Sequence, residues 1–568
     1  MGLTPTFDRD DLVAVAVHPG IGVGLAHRDQ QWALATADPL ATLAEIHAAS
    51  SPRWVWWDRH TSSRIAETEI PIDRCWDVSV VHRLLFGGWK SPLSEVWAAL
   101  HDLPLDTIPQ MGQLDLLAMP DHDGDPDLPL QPDGHLRPEW IDARWRSSPQ
   151  TLATWSSLAL RAASLQDDLL GDLPDPQRAR STARSESAAE LLCAEMARDG
   201  LPINTDEALR LIGRSAGVRP RSVSHEDTIR AERDGHVFDQ LSPRRELNLR
   251  NPREVKAMLR SQGFDLPDTR RWRLEALRDG EPLIDALLTW RKAERIATTY
   301  GYGWLDENVS DGRLRGDWSS SDGAAGRMTA SAGLHNLPAE MRTVVEAEPD
   351  HLFVRADLGQ IEPRVLAAVS ADRALVGAAE QPDLYLPVAK RLGVEREIAK
   401  VAVLGAMYGA TTGESAHALA GLRKSYPTAM KMLEDAAEQG KLGHDVFTSG
   451  GRRVRMWTDP SVHGDLDRAI SVAAARGRFA RNALIQGAAA EFFKVWAITV
   501  RRHGRSLGAR VVLCLHDELL VHCPARNAAA VADMVDRGVS EAAHYWSPTP
   551  SVKFVADVSI VQRWSEAK

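Results

Sequence analysis

Two apolar runs meet at a three-residue polar break in RVVLCLHDELLVHCP (510–524), and this stretch limits the fold more tightly than any other. Val- and Leu-rich runs of this length read as strands, and so short a break between them reads as the tip of a β-hairpin. The break holds His516, Asp517 and Glu518. Acids in so apolar a setting are costly unless they are solvated or paired with cations. The tip is therefore either a solvated turn, where Asp is common, or a cation site. A second strand signal, HLFVRAD at 351–357, ends on another acid, Asp357, and the two acids lie 160 positions apart (517 − 357). A sheet built from strands so distant in the chain, with helical sequence between them, predicts an α+β arrangement.

Composition narrows the class. At 568 residues the chain exceeds one ordinary domain, and a length prior gives about three to five structural units. Hydrophobic residues make up 44% and charged residues 26%, as in globular proteins with a sizeable core. No window approaches 18 uninterrupted apolar residues, and the opening MGLTPTFDRDDLVAVAV has acids where a signal peptide has bases. Neither a membrane span nor secretion is expected. Gly2 and Thr6 give only a short, unspecific match to a myristoylation pattern. The cysteines Cys75, Cys193, Cys514 and Cys523 are scattered without a CxxC pair. That excludes a disulfide framework or a structural zinc site and fits a reducing compartment. The net charge of −11 does not exclude a nucleic-acid partner, because the clustering of basic residues matters more than their sum. Of 67 basic residues 11 are Lys, and Arg suits bidentate phosphate contacts.

No internal repeat is present. Residues 1–150 mix strand-like runs (LVAVAV, RWVWW) with helical stretches. The acidic, proline-rich segment 119–138 reads as a surface loop, and DLPDPQRARSTARSES (172–187) as a boundary between two domains. Helical patterns follow: SAAELLCAEMARDG, PREVKAMLRSQG and LIDALLTWRKAERIATTY.

Four segments offer chemistry. Asp357 ends its strand just before an amphipathic helix beginning near Gln360; it either faces a cleft as a metal ligand or caps that helix. His516-Asp517-Glu518 is the second. In VEREIAKVAVLGAMYG, Arg396, Lys400, Leu404 and Tyr408 recur every four residues. Such a stripe drifts only about 40° per step on a helix. Its cationic end suits a triphosphate and its aromatic end a base, unless it is an ordinary basic amphipathic helix. In RGRFARNALIQGAAAEFFKVWAI, Arg478, Asn482 and Gln486 are likewise four apart. Asn and Gln carry both donors and acceptors, so they either read base edges or form a solvated face.

Taken in order, these blocks resemble family A DNA polymerases, the bacterial DNA polymerase I type. DLGQIEPR (357–364) resembles the family's D-Y-S-Q-I-E-L-R, residues 396–409 its R-x3-K-x3-F-G-x2-Y-G finger helix, and HDE (516–518) its palm hairpin. GRMTASAGLHNLP (326–338), TWRKAERIATTY (289–300) and the ending DVSIVQRWSEAK are similar to further family segments. The resemblance covers roughly 190–568, and the chain specifically resembles stand-alone actinobacterial proteins described as combined 3′–5′ exonuclease and DNA polymerase.

The resemblance implies an α+β multidomain chain. A right-hand polymerase domain at 188–568 has its thumb at about 200–300, palm at about 310–370 and 475–568, and fingers at about 371–474. It implies catalytic roles for Asp357, Asp517, Glu518 and Lys400, with Asp357 and Asp517 binding two Mg²⁺ ions (Mn²⁺ as a substitute). Arg396, Lys400, Leu404, Tyr408, Gln360, Glu362 and Tyr385 form the deoxynucleotide site, where Glu362 excludes a 2′-hydroxyl. Arg327, Asn336, Arg478, Asn482, Gln486 and His516 contact primer–template DNA. The implied partners are primer–template DNA and deoxynucleoside triphosphates, for a monomer acting without a membrane in the bacterial cytoplasm, at the nucleoid.

Two departures bear on rate. Leu404 stands where the family has a stacking aromatic, and Tyr385 where it has a phosphate-touching His; both predict a slower enzyme. Leu358, Gly359 and Pro363 also depart from the first motif. At 1–175 the resemblance implies an RNase H-like 3′–5′ exonuclease domain, with IDRCWDVSVVHRLLFGG (72–88) vaguely similar to one of its motifs. The first-strand D-x-E and the terminal Y-x3-D are absent, leaving Asp77 as an isolated acid, so the domain is expected to be degenerate. Two alternatives to a polymerase without proofreading remain: a non-catalytic DNA-binding relative and an enzyme that retains the exonuclease.

Overall fold

A computed structural model describes residues 5–109, 127–409, 415–459 and 465–567. The expected surface loop at 119–138 lies outside the described residues as far as 126. The polar stretch 172–187, expected to be a boundary, is helical from Pro176 onward, and Ala179, Thr182, Ala183, Ser185, Glu186 and Ser187 are buried on it. Its small side chains suit close packing rather than a linker.

The chain divides into two compact units. The first is Met1–Asp199, Asp317–Ala330 and Pro349–Val561; the second is Gly200–Gly316, Ser331–Glu348 and Gln562–Lys568. The second is mostly helical, with a core of Val255, Leu259, Leu274, Ile284 and Leu287 and a small three-stranded sheet.

The first unit begins with a five-stranded sheet: β1 Leu12–His18, β2 Gly22–His27, β3 Gln30–Ala35, β4 Arg53–Trp56 and β5 Cys75–Asp77, in the order β3-β2-β1-β4-β5. The β1–β2 and β2–β3 pairs are antiparallel, and β1–β4 and β4–β5 are parallel. The run LVAVAV serves both faces of this sheet. Val13, Val15 and Val17 enter one core, while Ala14 and Ala16 enter another with helix α1, Pro149–Gly171. The alternation of large and small follows from the strand's two-residue period. Gly24 explains how close α1 lies: a Cβ there would meet the Leu152 backbone at 2.1 Å. Helix α2, Pro176–Asp199, packs beside α1.

A second, antiparallel sheet comprises β6 His351–Gly359, β7 Arg510–Leu515, β8 Glu518–Pro524 and β9 Val555–Val561, in the order β7-β8-β6-β9. The distant strand signals therefore pair as expected, with β6 central between β8 and β9. Around them lie α3 Ile361–Ser370, α4 Arg396–Tyr408, the 39-residue α5 Leu466–Gly504 and α6 Ala528–Trp546. Among the described residues, only the segment Leu466–Leu507 is long and apolar enough to cross a bilayer, and 83% of its apolar window is buried inside the protein.

A buried ionic cluster joins α2, α5 and the 446–454 hairpin. Glu186 pairs with Arg452 at 2.7 Å and with Lys494, all at most 2% exposed. Lys494 also donates to the carbonyls of Ser320 and Gly326, and Thr448 donates to Glu491. Burial works to raise the Glu186 carboxyl, but Arg452 and Lys494 outweigh it and hold it below its ordinary range. Glu491 has weaker support, and burial pushes it up to about 7. Small residues make room for the cluster. Gly326 sits at φ +77°, where a side chain would strike Arg452, and a Cβ on Gly487 would meet Thr448 at 2.6 Å. Removing one partner of a fully buried pair leaves an uncompensated charge. Lys494→Ala is therefore expected to lower stability by about 3–5 kcal/mol, read as the shift in urea unfolding. A shift below about 1 kcal/mol would mean that the cluster behaves like a surface pair.

Candidate catalytic cleft

The tip of the β7–β8 hairpin is a two-residue turn. Leu515 pairs with Glu518, so Glu518 belongs to the strand and is buried, whereas His516, at φ 58°, is exposed and Asp517 half-buried. A fully solvated turn does not describe this tip. Strand register does the rest. Asp357 faces Glu518 on one side and Asp557 on the other. Residues directly opposite one another share a sheet face, so three carboxylates stand in a row across β8, β6 and β9, with Asp517 at the adjoining turn. Asp357 is no helix cap: the N-cap of α3 is Gln360, at φ 58°, and its side chain makes no capping bond.

The row is short of positive charge. Burial pushes the Asp517 carboxyl up to about 6, with Asp357 and Glu518 adding to it. Asp357 is also raised, by burial first and then by Glu518 and Asp557, against the pull of Arg355. Arg355 was not singled out in the sequence. Its Nη2 lies 2.6 Å from Asp357 Oδ2 and its Nε 3.2 Å from Glu518 Oε1.

Beside the row lies a cleft of about 410 Å³. Asp517, His516, Gln360, Glu362, Tyr385, Leu404, Tyr408, Arg327 and Gln486 all line it. Glu362 accepts from Tyr408 Oη at 2.9 Å and from Arg327 Nη2 at 3.1 Å, which fixes its carboxylate at the wall. Gln360 donates to Asp383 at 2.8 Å and accepts from the Leu384 N–H and from Arg364. Tyr385 is buried, its phenol pushed up to about 12 by burial and by Glu362. The small residues after Gln486 also have a use here, since Ala489 and Ala490 form part of the lining.

Other expected residues stand apart from that lining. Arg396 and Lys400 precede Leu404 on α4 by about two turns and one turn. Arg396 is engaged with Asp383 at 2.7 Å and Glu397 at 2.5 Å, its guanidinium 5.6 Å from the Tyr385 ring. Asp383, like Arg355 and Asp557, was missed in the sequence. Arg478 is exposed and Asn482 half-buried on α5. Asn336 is exposed and belongs to the second unit, where its carbonyl accepts from Arg295 at 2.6 Å.

In the N-terminal sheet, Asp77 is fully buried. It caps the following helix through the Val80 N–H and accepts from Trp56 Nε1 at 2.9 Å. Burial, with Glu190 and Asp58 adding, pushes it up to about 8. Asp77 is therefore not electrostatically isolated. Its neighbours are committed elsewhere, however: Asp58 to the His60 N–H, and Glu190 to the Ser320 N–H and Arg83.

The sequence matches a known family. The model of DNA polymerase family A matches residues 239–566, more than half the chain, and the chain belongs to that family. It corresponds to the family's polymerase domain, in a mixed α+β fold. The DNA polymerase I of Chloroflexus aurantiacus is 32% identical over 282 residues, 44% of this chain and 29% of that relative. The thermostable DNA polymerase I of Thermus thermophilus is 30% identical over 335 residues, 52% of this chain and 38% of that relative. The chain thus spans well under half the length of these curated relatives. The fold also matches the POL domain of Pol1 from M. smegmatis, solved in complex with DNA primer-template and dNTP. That likeness has a TM-score of 0.67 at 20% identity and covers 98% of this chain and 96% of that one.

The charge row fixes a pH dependence. The folded Asp517 carboxyl titrates near 6, above an unfolded value of roughly 3.9. The protonated acid therefore stabilises the fold fully below pH ~4, and that contribution is lost as pH rises through about 6. Without divalent ions, Asp517→Asn is expected to gain about 1–2 °C in Tm on the wild type between pH 4 and pH 7.5. Parallel Tm–pH curves for the two proteins would contradict this.

Proposed function

We propose that the protein is a template-directed DNA polymerase that adds deoxynucleotides to a primer 3′ end. The observation that carries this reading is the pair Asp357 and Glu518 of the carboxylate row, with Asp517 at the adjoining turn lining a cleft whose wall holds the Glu362–Tyr408 pair. An all-carboxylate oxygen set suits Mg²⁺, and the raised Asp517 carboxyl marks the local deficit of positive charge that a cation would fill. The residues fit two metal ions at Asp357 and Asp517, with Mn²⁺ as a substitute, which when bound supply charge neutralisation and activation of the primer hydroxyl.

The chain's own groups do the positioning. Glu362, held by Tyr408 and Arg327, takes up space where a ribose 2′-hydroxyl would lie. Tyr408, half-exposed beside it, shapes the floor for the nascent base pair. Lys400 and Arg396 extend α4 toward the triphosphate, with Lys400 donating a proton to the leaving group. Arg396 must first leave Asp383 and Glu397. Gln486 and His516 at the cleft and Arg478 and Asn482 on α5 bind primer–template DNA, as do Arg327 and, in the second unit, Asn336. Leu404 offers no flat face to the incoming base, and the buried Tyr385 phenol replaces a ring nitrogen near the phosphates. Both slow the enzyme.

On this reading β6–β9 with α3 and α5 form the palm, α4 and its neighbours the fingers, and residues 200–300 the thumb. Residues 1–175 are a degenerate 3′–5′ exonuclease domain. The sheet order with one parallel and one antiparallel flank supports an RNase H-like relationship. The Trp56 indole on Asp77 occupies the acid that a metal would need. The protein works as a monomer on chromosomal DNA, at the nucleoid of a bacterial cytoplasm. It resembles the actinobacterial proteins described as combined exonuclease and polymerase, with the exonuclease lost.

Primer extension on gapped and simple templates tests the reading. Wild-type protein with Mg²⁺ extends the primer, and Asp357→Asn or Asp517→Asn loses at least about 10³-fold in rate; a wild type that extends neither template sinks the reading. In the same assay Leu404→Phe lowers KM for deoxynucleotide by about threefold to tenfold, and unchanged kinetics remove Leu404 as the cause of slowness. A mismatched primer stays intact with Mg²⁺; degradation that disappears in Asp77→Ala would restore proofreading.

A further inference from the structure

We propose that Arg355 is a resident cation of the carboxylate row, one that competes with a divalent ion for Asp357, with Asp557 as the seat that receives it when the ion binds. This rests on the polymerase reading of the site and concerns how the site admits its metal.

Strand geometry puts Arg355 there. It precedes Asp357 by two residues on β6 and so projects from the same face of the sheet. Register places Asp557, Asp357 and Glu518 side by side on β9, β6 and β8. Arg355 pairs across to Leu520 and Ser559, neither of which carries a charge. The three acids lie two positions along the sheet from it. Its five N–H groups form a planar fork that reaches all three: Nη2 to Asp357 Oδ2 at 2.6 Å, Nε to Glu518 Oε1 at 3.2 Å, and Nη1 to Asp557 Oδ2 at 3.5 Å. The residue is 8% exposed, so water screens little of its charge.

The bond to Asp357 is the shortest of the three, and it uses an oxygen that a metal at Asp357 would approach. A divalent ion and a guanidinium are like charges, and at such separation in a half-buried site they repel strongly. Each therefore weakens the other's hold on Asp357. The Arg355 stem is fixed among β-sheet neighbours, so the fork can swing but not leave. Asp557 is the available seat: its side chain is 76% exposed and already within 3.5 Å of Nη1. Glu518 stays in contact through Nε during such a swing. Without metal, Arg355 balances part of the row's charge and lets the sheet form. With metal, it moves outward and keeps Glu518 aligned. The consequence is weak uptake of the first cation in the absence of substrate.

The test measures Mn²⁺ binding to the full chain by electron paramagnetic resonance, without DNA or nucleotide. Arg355→Met keeps the apolar stem volume and removes the charge. It is expected to tighten Mn²⁺ binding about tenfold, the weight of one charge-assisted bond. The gain disappears when Asp357→Asn is added. Asp557→Asn alone weakens binding a fewfold and has a smaller effect in the Arg355→Met background. Equal or weaker binding by Arg355→Met overturns the proposal, as does the absence of Mn²⁺ binding in both proteins, or a gain that survives Asp357→Asn. Should Arg355→Met fail to fold, unchanged binding by Asp557→Asn overturns it. Because no DNA or nucleotide is present, a failure of primer extension leaves this result standing, and the converse holds too.

Discussion

The register of the strand His351–Gly359 between two antiparallel neighbours sets everything else at the site. A strand's side chains alternate faces, so a slip of one residue would send Asp357 and Arg355 to the other side of the sheet together. In the observed register the strand brings one acid to face an acid on either side, an arrangement that is repulsive by itself. It persists because Arg355 lies on the same face, two residues away, and because the third acid, at 557, is largely in water. The site is thus an electrostatic compromise, with enough fixed positive charge to fold and too little to satisfy four carboxylates. Burial raises the Asp517 carboxyl, and Asp357 and Glu518 add to it.

The rest of the unit holds that strand pairing in place. Helix Leu466–Gly504 runs from the cleft, where Gln486, Ala489 and Ala490 form part of the wall, to the buried cluster of Lys494, Glu186, Arg452 and Glu491. One helix thus carries both a lining of the site and the most deeply buried charge pair near it. Gly326 and Gly487 are there because a Cβ at either would collide with that cluster's neighbours. The stretch GRMTASAG is therefore constrained at its first residue by packing as well as by any contact with DNA.

Much of this was legible beforehand, and what was not has a common cause. The hairpin of 510–524 and the strand that carries Asp357 could be read because strand signals are local, although that strand runs on past Asp357 to Gly359. The stripe ending in Leu404 and Tyr408 was readable from helical spacing, and both residues line the cleft. Arg396 was read as part of the stripe's cationic end, suited to a triphosphate, and the fold gave it Asp383 and Glu397 as partners. Arg355 could have been suspected, since two-residue spacing puts it beside Asp357, but its value depended on Asp557, two hundred residues on (557 − 355 = 202). The stretch 172–187 was read as a boundary from its polar and small residues; it is helical from Pro176, and Glu186 within it is buried with two cations from elsewhere in the chain.

The sequence alone determined the strands, the helices and the chemical types available to them, because periodicity and side-chain chemistry are properties of neighbouring residues. It also held the ordered motifs by which the family is identified. Only the tertiary structure decided which acids face one another, which arginine answers them and which polar residues are committed to each other. Those outcomes follow from strand register and from helix packing between segments hundreds of residues apart. A charge's environment is set by what the fold places around it, and no local pattern contains that.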